Sequence, residues 1–509
     1  MSRKITHLLL ASILLLVIIL ATTPLGNTVT WSGETRLTSH KAWDVGQSIF
    51  QMQDDRIWVV WQSNRNGTFD IFYATYDWSS WSDPIQFTTM NSSHDVDPSV
   101  MQTNNGTIWI VWQSNRNSNY DIFYKTSSNN GATWSNTTQL TENPYDDWAP
   151  SIIQATDGTI WVFWQYFNVT DWELLYKTYN GSWSNTTQLT TNDYHDRYPS
   201  LAKMRDGTIW VVWQYYTGTG NDNELLYKTY NGSWSNTTQL TEDTKNDAEP
   251  SIMQARDGTI WVFWSRELHR GGIDPWQYDL FYKTSIDYGA TWSEDIQFTT
   301  DADWEEDRPS AAQINDKTIW LTWQYDKDDN FDIYYEISSE VILHDVAITS
   351  ITPNSTMVYR GETVSISVTA ENQGDENEIF TVDCYANTTL IGSENVTLSS
   401  GNSTTTIFSW STSNFGGIYT ITANASTVPG ELLPSLDNNI YINGTVQIRI
   451  LGDLDLDDDV DFDDFIIFAA SYGTSVGEPS YNPEADLDND DDVDFDDFII
   501  FAANYGTSI

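Results

Sequence analysis

The sequence predicts a mainly-β chain in three parts: a six-bladed β-propeller, an Ig-like β-sandwich and a small α-helical domain. Three observations predict it. A stretch best seen as Pro150-Ser-Ile-Ile-Gln-Ala-Thr-Asp157-Gly-Thr-Ile-Trp161-Val-Phe-Trp164-Gln returns about every fifty residues up to Gln324. From about Ile342 that Trp repeat gives way to alternating strands with Gly, Asn and Ser turns. From Asp453 an acidic run followed by Phe-Ile-Ile-Phe occurs twice, 33 residues apart. The expected divisions are 1–27 (an export signal or N-terminal anchor), 28–341, 342–450 and 451–509.

The six copies carry the pairs Trp58/Trp61, Trp109/Trp112, Trp161/Trp164, Trp210/Trp213, Trp261/Trp264 and Trp320/Trp323. Several short strands in a unit of this length indicate propeller blades, because one small sheet cannot bury both of its faces alone. Period-2 geometry sends Trp161 to one face of its strand and Trp164 to the other, as a blade packed between two others requires. Asp157-Gly158, Asp206-Gly207, Asp257-Gly258 and Asn105-Gly106 supply the positive φ of a hairpin turn between the first two strands. The sixth copy lacks the Trp-Ser-x-x-x-Gln-Leu-Thr strand that ends the others, while an orphan Trp31-Ser-Gly-Glu-Thr-Arg-Leu-Thr38 stands at the start. It is expected to complete blade six and leave no open edge.

Arg3-Lys4 followed by an apolar run from Ile5 to Leu20 has the make-up of a secretory signal, short for a membrane span. Sequons such as Asn66-Gly-Thr and Asn395-Val-Thr agree with export. The single Cys384 excludes an internal disulfide and reads as a core residue of a strand. A formal net charge of −49 argues against nucleic acid and an anionic membrane surface as partners.

Ser285-Ile-Asp287-Tyr-Gly289-Ala-Thr-Trp292, and Ser127–Trp134 with Asn129 for Asp, resemble the Asp-box of sialidase-like propellers, also called the BNR repeat. Ser63-Asn-Arg65-Asn-Gly-Thr-Phe-Asp70-Ile-Phe-Tyr and its neighbours resemble the repeat of TolB-type propellers. Both resemblances imply the fold and neither implies a function. The Asp-box reads as a turn lock; the sialidase arginine triad has no counterpart at matching repeat positions. An acid stands three residues before each strand-A Pro or Gln47: Asp44, Asp95, Asp147, Asp196, Asp247 and Glu306. They are expected either to cap their own loops or to ring the channel mouth as a cation- or ligand-binding rim, with aromatics such as Trp43, Tyr194 and Trp276 as a glycan platform. The loop Ser265–Trp276 gathers Glu267, His269 and Asp274, the expected catalytic candidates if the propeller is an enzyme.

His344-Asp-Val-Ala-Ile and Val368-Thr-Ala-Glu-Asn-Gln-Gly374 resemble the CARDB domains of prokaryotic surface proteins, which implies a spacer or adhesive module. In the tail, Asp453, Asp455, Asp457, Asp459, Asp461 and Asp464 occupy positions 1, 3, 5, 7, 9 and 12 of a Ca²⁺ loop. Asp486, Asp488, Asp490, Asp492, Asp494 and Asp497 repeat them. Each loop is followed by an apolar helix pattern with a Gly stop. Two loops of this kind over Gly452–Thr507 resemble a type I dockerin, with Asp458 and Asp491 where Gly is usual. The resemblance implies two bound Ca²⁺ ions and a cohesin partner, contacted through Phe462, Asp463, Phe495 and Asp496. The expected function is a secreted or cell-surface modular protein whose propeller binds a glycan or protein and whose dockerin docks onto a cohesin. The alternatives are a glycoside hydrolase acting on extracellular polysaccharide and a structural envelope component.

Overall fold

The computed structural model describes residues 29–89, 92–216, 223–268, 277–301, 304–315, 317–327, 330–432 and 435–508. The expected export segment 1–27 lies outside them. Six four-stranded antiparallel sheets follow one another along the chain. In blade one the strands, here A to D, are Asp44–Gln51, Ile57–Ser63, Asp70–Tyr76 and Ile85–Gln86. Blade six is completed as expected: Thr35 and Arg36 pair with Tyr335 and Tyr334, beyond Thr318–Tyr325 and Glu306–Ile314.

The two tryptophans of each strand B have separate tasks. The first stacks on the strand-C tyrosine of its own blade, as in Trp58–Tyr73 at 4.6 Å and Trp320–Tyr335 at 5.2 Å between centroids. It also receives the strand-D tryptophan of the next blade edge-on: Trp134 on Trp58, Trp183 on Trp109, Trp234 on Trp161, Trp292 on Trp210 and Trp81 on Trp320, at 6.1–6.4 Å. Trp31 makes the same contact with Trp261 at 6.5 Å. The N-terminal segment thus supplies both the strand and the wedge that blade six lacks. The second tryptophan of each pair is fully buried.

The Asp-box is a turn lock, as read. Asp287 accepts from Thr291 N at 2.8 Å and from Ser285 Oγ at 2.9 Å. Gly289, at φ 81°, lies so close to Trp210 that a Cβ would meet the indole at 2.4 Å.

Residues 346–449 form a sandwich of a three-stranded and a five-stranded sheet, with Cys384 and Trp410 in its core. Burial pushes the Cys384 thiol up to about 12, so it is an inert core residue. Arg256 in blade five pairs with Asp375 of the sandwich at 2.6 Å, and Asp375 also accepts Leu343 N at 2.9 Å. The tail contains two short helices, α1 (Phe462–Ser471) and α2 (Phe495–Asn504).

Candidate functional site

The six repeated acids do not form a rim. Asp44, Asp95, Asp147, Asp196 and Asp247 are wholly buried and Glu306 nearly so. The indoles of Trp61, Trp164, Trp213 and Trp264 donate to Asp44, Asp147, Asp196 and Asp247 at 2.6–3.1 Å. In blades one, two and five an arginine completes the set: Arg65 on Asp44, Arg116 on Asp95 and Arg266 on Asp247. In blades three and four Asn143 and Asn192 stand in for the arginine. The acids are internal acceptors that fix the start of strand A against strand B. A buried carboxylate needs such donors, and four of the six blades supply the indole from the same place; the indoles of Trp112 and Trp323 make no such bond.

The residues that reach the channel lie two positions further on. Each strand A is interrupted by a β-bulge, in blade one between Val45 and Ser48. The bulge holds Gly46 in blade one and Asp97, Ala149, Tyr198, Glu249 and Arg308 in the others, all at φ between 48° and 64°. A left-handed turn in a non-glycine residue costs ~1–2 kcal/mol, and here the neighbouring blade helps hold it. Gln62 accepts Asp97 N at 2.5 Å, Gln165 accepts Tyr198 N at 2.8 Å and Gln324 accepts Gly46 N at 3.0 Å. These six residues, with Gln47 and five prolines, line a cavity of about 130 Å³ at the end where the D–A and B–C loops emerge.

Their chemistry is unequal around the mouth. Arg308 reaches across blade one to Asp97 at 2.7 Å and back to Glu249 at 3.1 Å. Its guanidinium lies over the Tyr198 ring at 5.7 Å. The three charged side chains keep 16–28% of their surface exposed. Burial raises the Glu249 carboxyl, against the pull of Arg308. Burial also pushes the Tyr198 hydroxyl up to about 12. A carboxylate pair, a guanidinium and a phenol at one channel mouth can bind a polar ligand or move a proton. The signal in the sequence was the residue before each strand-A Pro, which differs in every copy while the acid two residues before it and the Ser two residues after it repeat.

Of the loop candidates, His269, Asp274 and Trp276 lie outside the described residues. Glu267 is buried in strand B of blade five and accepts from Asn246 Nδ2, which places it in the wall rather than at the mouth. Trp43 and Tyr194 stand exposed on the D–A loops, joined there by Tyr145.

In the tail the carboxylates converge. Oxygen atoms of Asp453, Asp455, Asp457 and Asp464 lie within 4.8 Å of one another, as do those of Asp459, Asp461 and Asp464. The second loop repeats this with Asp486, Asp488 and Asp497, and with Asp492, Asp494 and Asp497. Asp490 is outside both groups and accepts Asp492 N at 3.3 Å. Asp464 and Asp497 are fully buried, and Asp461 and Asp494 cap α1 and α2. Asp458 and Asp491 take the left-handed turn at 73° and 74°, the conformation for which glycine is usual. Val460 and Val493, fully buried, tie each loop to the segment after the other loop's helix: Gly506 N donates to Val460 O and Gly473 N to Val493 O, both at 2.7 Å. A buried oxygen of Asp459 and one of Asp492 have no protein partner. An all-oxygen set with orphaned acceptors fits a hard divalent cation such as Ca²⁺. Phe462 and Phe495 stand about 60% exposed beside Asp463 and Asp496 on the first turns of the helices.

Comparison with known proteins gives a family for one part of the chain. Residues 343–428 match the CARDB family. No curated protein matches the chain. Among solved structures, an unknown function protein from Dyadobacter fermentans is similar at 10% identity and TM-score 0.52, over 61% of this chain and 99% of that one. An α-L-arabinanase from Penicillium chrysogenum is similar at 12% identity and TM-score 0.48, over 61% and 98%. The NanB sialidase from Streptococcus pneumoniae is similar at 11% identity and TM-score 0.46, over 61% and 70%. At these identities a likeness concerns the fold alone. The first of these agrees with the six-sheet ring described above. Among the described residues no helix is long and apolar enough to cross a membrane.

Proposed function

We propose that this chain is an exported, cell-surface binding protein in which the propeller takes a ligand at its channel mouth, the CARDB domain acts as a spacer, and the tail, loaded with two Ca²⁺ ions, docks onto a cohesin-type partner. The observation that carries this is the pair of acidic loops, each ending in a helix that leaves an apolar side chain on its first turn. Asp453, Asp455, Asp457, Asp459, Asp461 and Asp464 would hold one ion, and their counterparts from Asp486 to Asp497 the other. Bound Ca²⁺ would neutralise the mutual repulsion of these carboxylates and fix the loops against the helices. With 18 acids from Asp453 to Asp497 and no Lys or Arg after Arg449, the tail is expected to be poorly ordered without cation. Calorimetric titration of the EDTA-stripped chain is expected to give two equivalents of Ca²⁺, falling to one in Asp464→Ala and in Asp497→Ala. Absence of stoichiometric binding in the unmodified chain would refute the assignment.

A second reading, a glycoside hydrolase, is favoured by Asp97 and Glu249 meeting at the mouth with the Glu249 carboxyl raised by burial. A general acid needs such a raised group beside a second carboxylate. If it holds, sugars are released from a glycan panel and release falls at least ~100-fold in Glu249→Gln, the scale of losing a general acid. No release from any member leaves the binding protein as the better account.

A further inference from the structure

The mouth face carries an arginine that no anion holds. Among the described residues eight arginines pair with a carboxylate, and Arg360 donates to the carbonyls of Ser413 and Ser508. Arg205 stands exposed. Arg197, in strand A of blade four (His195–Lys203), is half-buried and bonds to no acceptor, in a chain with 72 Asp and Glu against 23 Lys and Arg. Its Nε is buried without a partner, and its terminal nitrogens, also unbonded, are left open to solvent. Burial lowers its guanidinium from the ordinary value, and what acts against this is the Tyr198 and Tyr216 hydroxyls rather than a carboxylate. An N–H taken out of water without an acceptor is destabilising, and packing does not demand it. Val45, Val96 and Ala248 fill the same position in blades one, two and five.

The guanidinium lies over the Trp172 ring of blade three, 5.6 Å from its centroid, which fixes it at the junction of the two blades. His195, two residues earlier and on the same face of the strand, accepts Trp172 N through Nδ1 at 3.2 Å. Burial, then Arg197, lower the imidazole from its ordinary value against Asp171, so it is neutral with its proton on Nε2. Asp196, between them in sequence, faces the other way and is taken by the Trp213 indole at 2.6 Å. A guanidinium with free terminal N–H groups beside a second N–H donor is complementary to a carboxylate, which accepts two parallel bonds from such a fork. We propose that Arg197 and His195 bind the carboxylate of a uronic acid residue, in a glycan that runs across the propeller face from the channel mouth. This rests on the reading of the mouth as a ligand site and adds the ligand's charge and class; Tyr198, the next residue, lines that mouth. Tyr145 and Tyr194, 38% and 41% exposed on the loops that open blades three and four, give faces on which sugar rings stack, which favours a glycan over an acidic peptide. A carboxylate brings one negative charge where a phosphate brings about two, and beside a net charge of −49 the smaller charge is favoured.

The test uses substitutions that other blades already carry. Arg197→Val copies blades one and two, and Tyr198→Ala copies Ala149, which has the same left-handed backbone. The full-length protein with Ca²⁺ is titrated calorimetrically with trimers of galacturonate, glucuronate and mannuronate, with the methyl ester of each, with a panel of neutral glycans and with a poly-glutamate peptide. At least one uronate trimer is expected to bind, and its methyl ester to bind about 10–100-fold more weakly, the scale of a charge-assisted pair. Arg197→Val should lose as much, and Arg197→Lys, which keeps the charge without the fork, should fall between. Without ligand, Arg197→Val should melt no lower than the parent, because the unpaired donor is gone. An arginine that only packs predicts the reverse, so a lower melting temperature with unchanged binding would overturn the site. Equal binding of the methyl esters would overturn the carboxylate, and equal binding of the peptide would overturn the sugar. A neutral glycan weakened by Tyr198→Ala and untouched by Arg197→Val would overturn the uronate while leaving the mouth as the ligand site. No binding by any member of the panel would defeat both readings.

Discussion

Deletion of residues 30–38 is expected to lower the melting temperature of the propeller by at least ~10 °C, or to prevent its folding. Three losses coincide. Trp31 packs edge-on against Trp261, Phe263 and Phe298, with centroids at 4.9–6.5 Å. A ring of that size buries ~150–250 Å² and contributes about 4 kcal/mol at 25 cal/mol per Å². The backbone of Ser32 and Leu37 donates to Ile337 O and Ile333 O at 2.9 and 2.7 Å, and Thr38 Oγ1 to Asp332 at 3.0 Å. Asp332, with a side chain 1% exposed, would also lose the pairing with Arg36 and become a buried charge without a cation. Breaking such a pair from one side costs ~3–5 kcal/mol. The sum exceeds ~5 kcal/mol, and for a domain above 150 residues each kcal/mol is worth ~2–4 °C. Trp31→Ala alone should give an intermediate fall. Thermal melting followed by near-UV circular dichroism reads this directly, because no Trp lies beyond Trp410. An unchanged transition would show that blade six closes without its N-terminal strand.

The ring was legible in the sequence because its packing units are spelled out six times. Period-2 spacing of two tryptophans told which side of strand B each faces, and the orphan Trp31–Thr38 told where the ends meet. The same regularity misled about the site. Repeated acids suggested a symmetric rim, yet repetition marks what every blade needs in order to pack, and these carboxylates are consumed by indoles and arginines inside the blades. The mouth is built from a position at which all six copies differ. Its direction was not readable, because a bulge turns that residue into the channel and a strict alternation places it on the wrong side. In the tail, by contrast, the ligand positions of a loop are set by residue count along the chain, so spacing alone brought the carboxylates together. Only Asp490 stays outside its group.

Acid is expected to stabilise the propeller. Among the described residues, the buried acids of blades three and four have no arginine, and in blade six Glu306 has none. Burial raises Asp147 and Asp196 from 3.8 to about 7 and about 6, and Glu173, Glu224 and Glu306 from 4.5 to about 7. Tyr166 and Tyr215 stand after the strand-B Gln of blades three and four, whereas Arg266 pairs directly with Asp247 in blade five. A carboxyl whose folded pKa lies above its unfolded value holds its proton in the folded state at pH values where the unfolded chain has released it. Its contribution is complete below about 4 and is lost as pH rises through about 6–7. Each pKa unit is worth ~1.4 kcal/mol; with several groups involved, the near-UV transition in EDTA should lie ~10 °C higher at pH 5 than at pH 8. The net charge of −49 contributes in the same direction through general repulsion, so the slope alone does not assign the effect. Asp147→Asn and Asp196→Asn separate the two. The amide keeps a carbonyl oxygen for the Trp164 or Trp213 indole, gives up the acceptor for Asn143 or Asn192 at every pH, and removes the proton that titrates, while changing the overall charge by only one each. In the double variant the slope between pH 5 and pH 8 should shrink by about a third, because the lost Asn143 and Asn192 bonds lower both transitions alike. A slope that survives both substitutions would clear Asp147 and Asp196 of the effect.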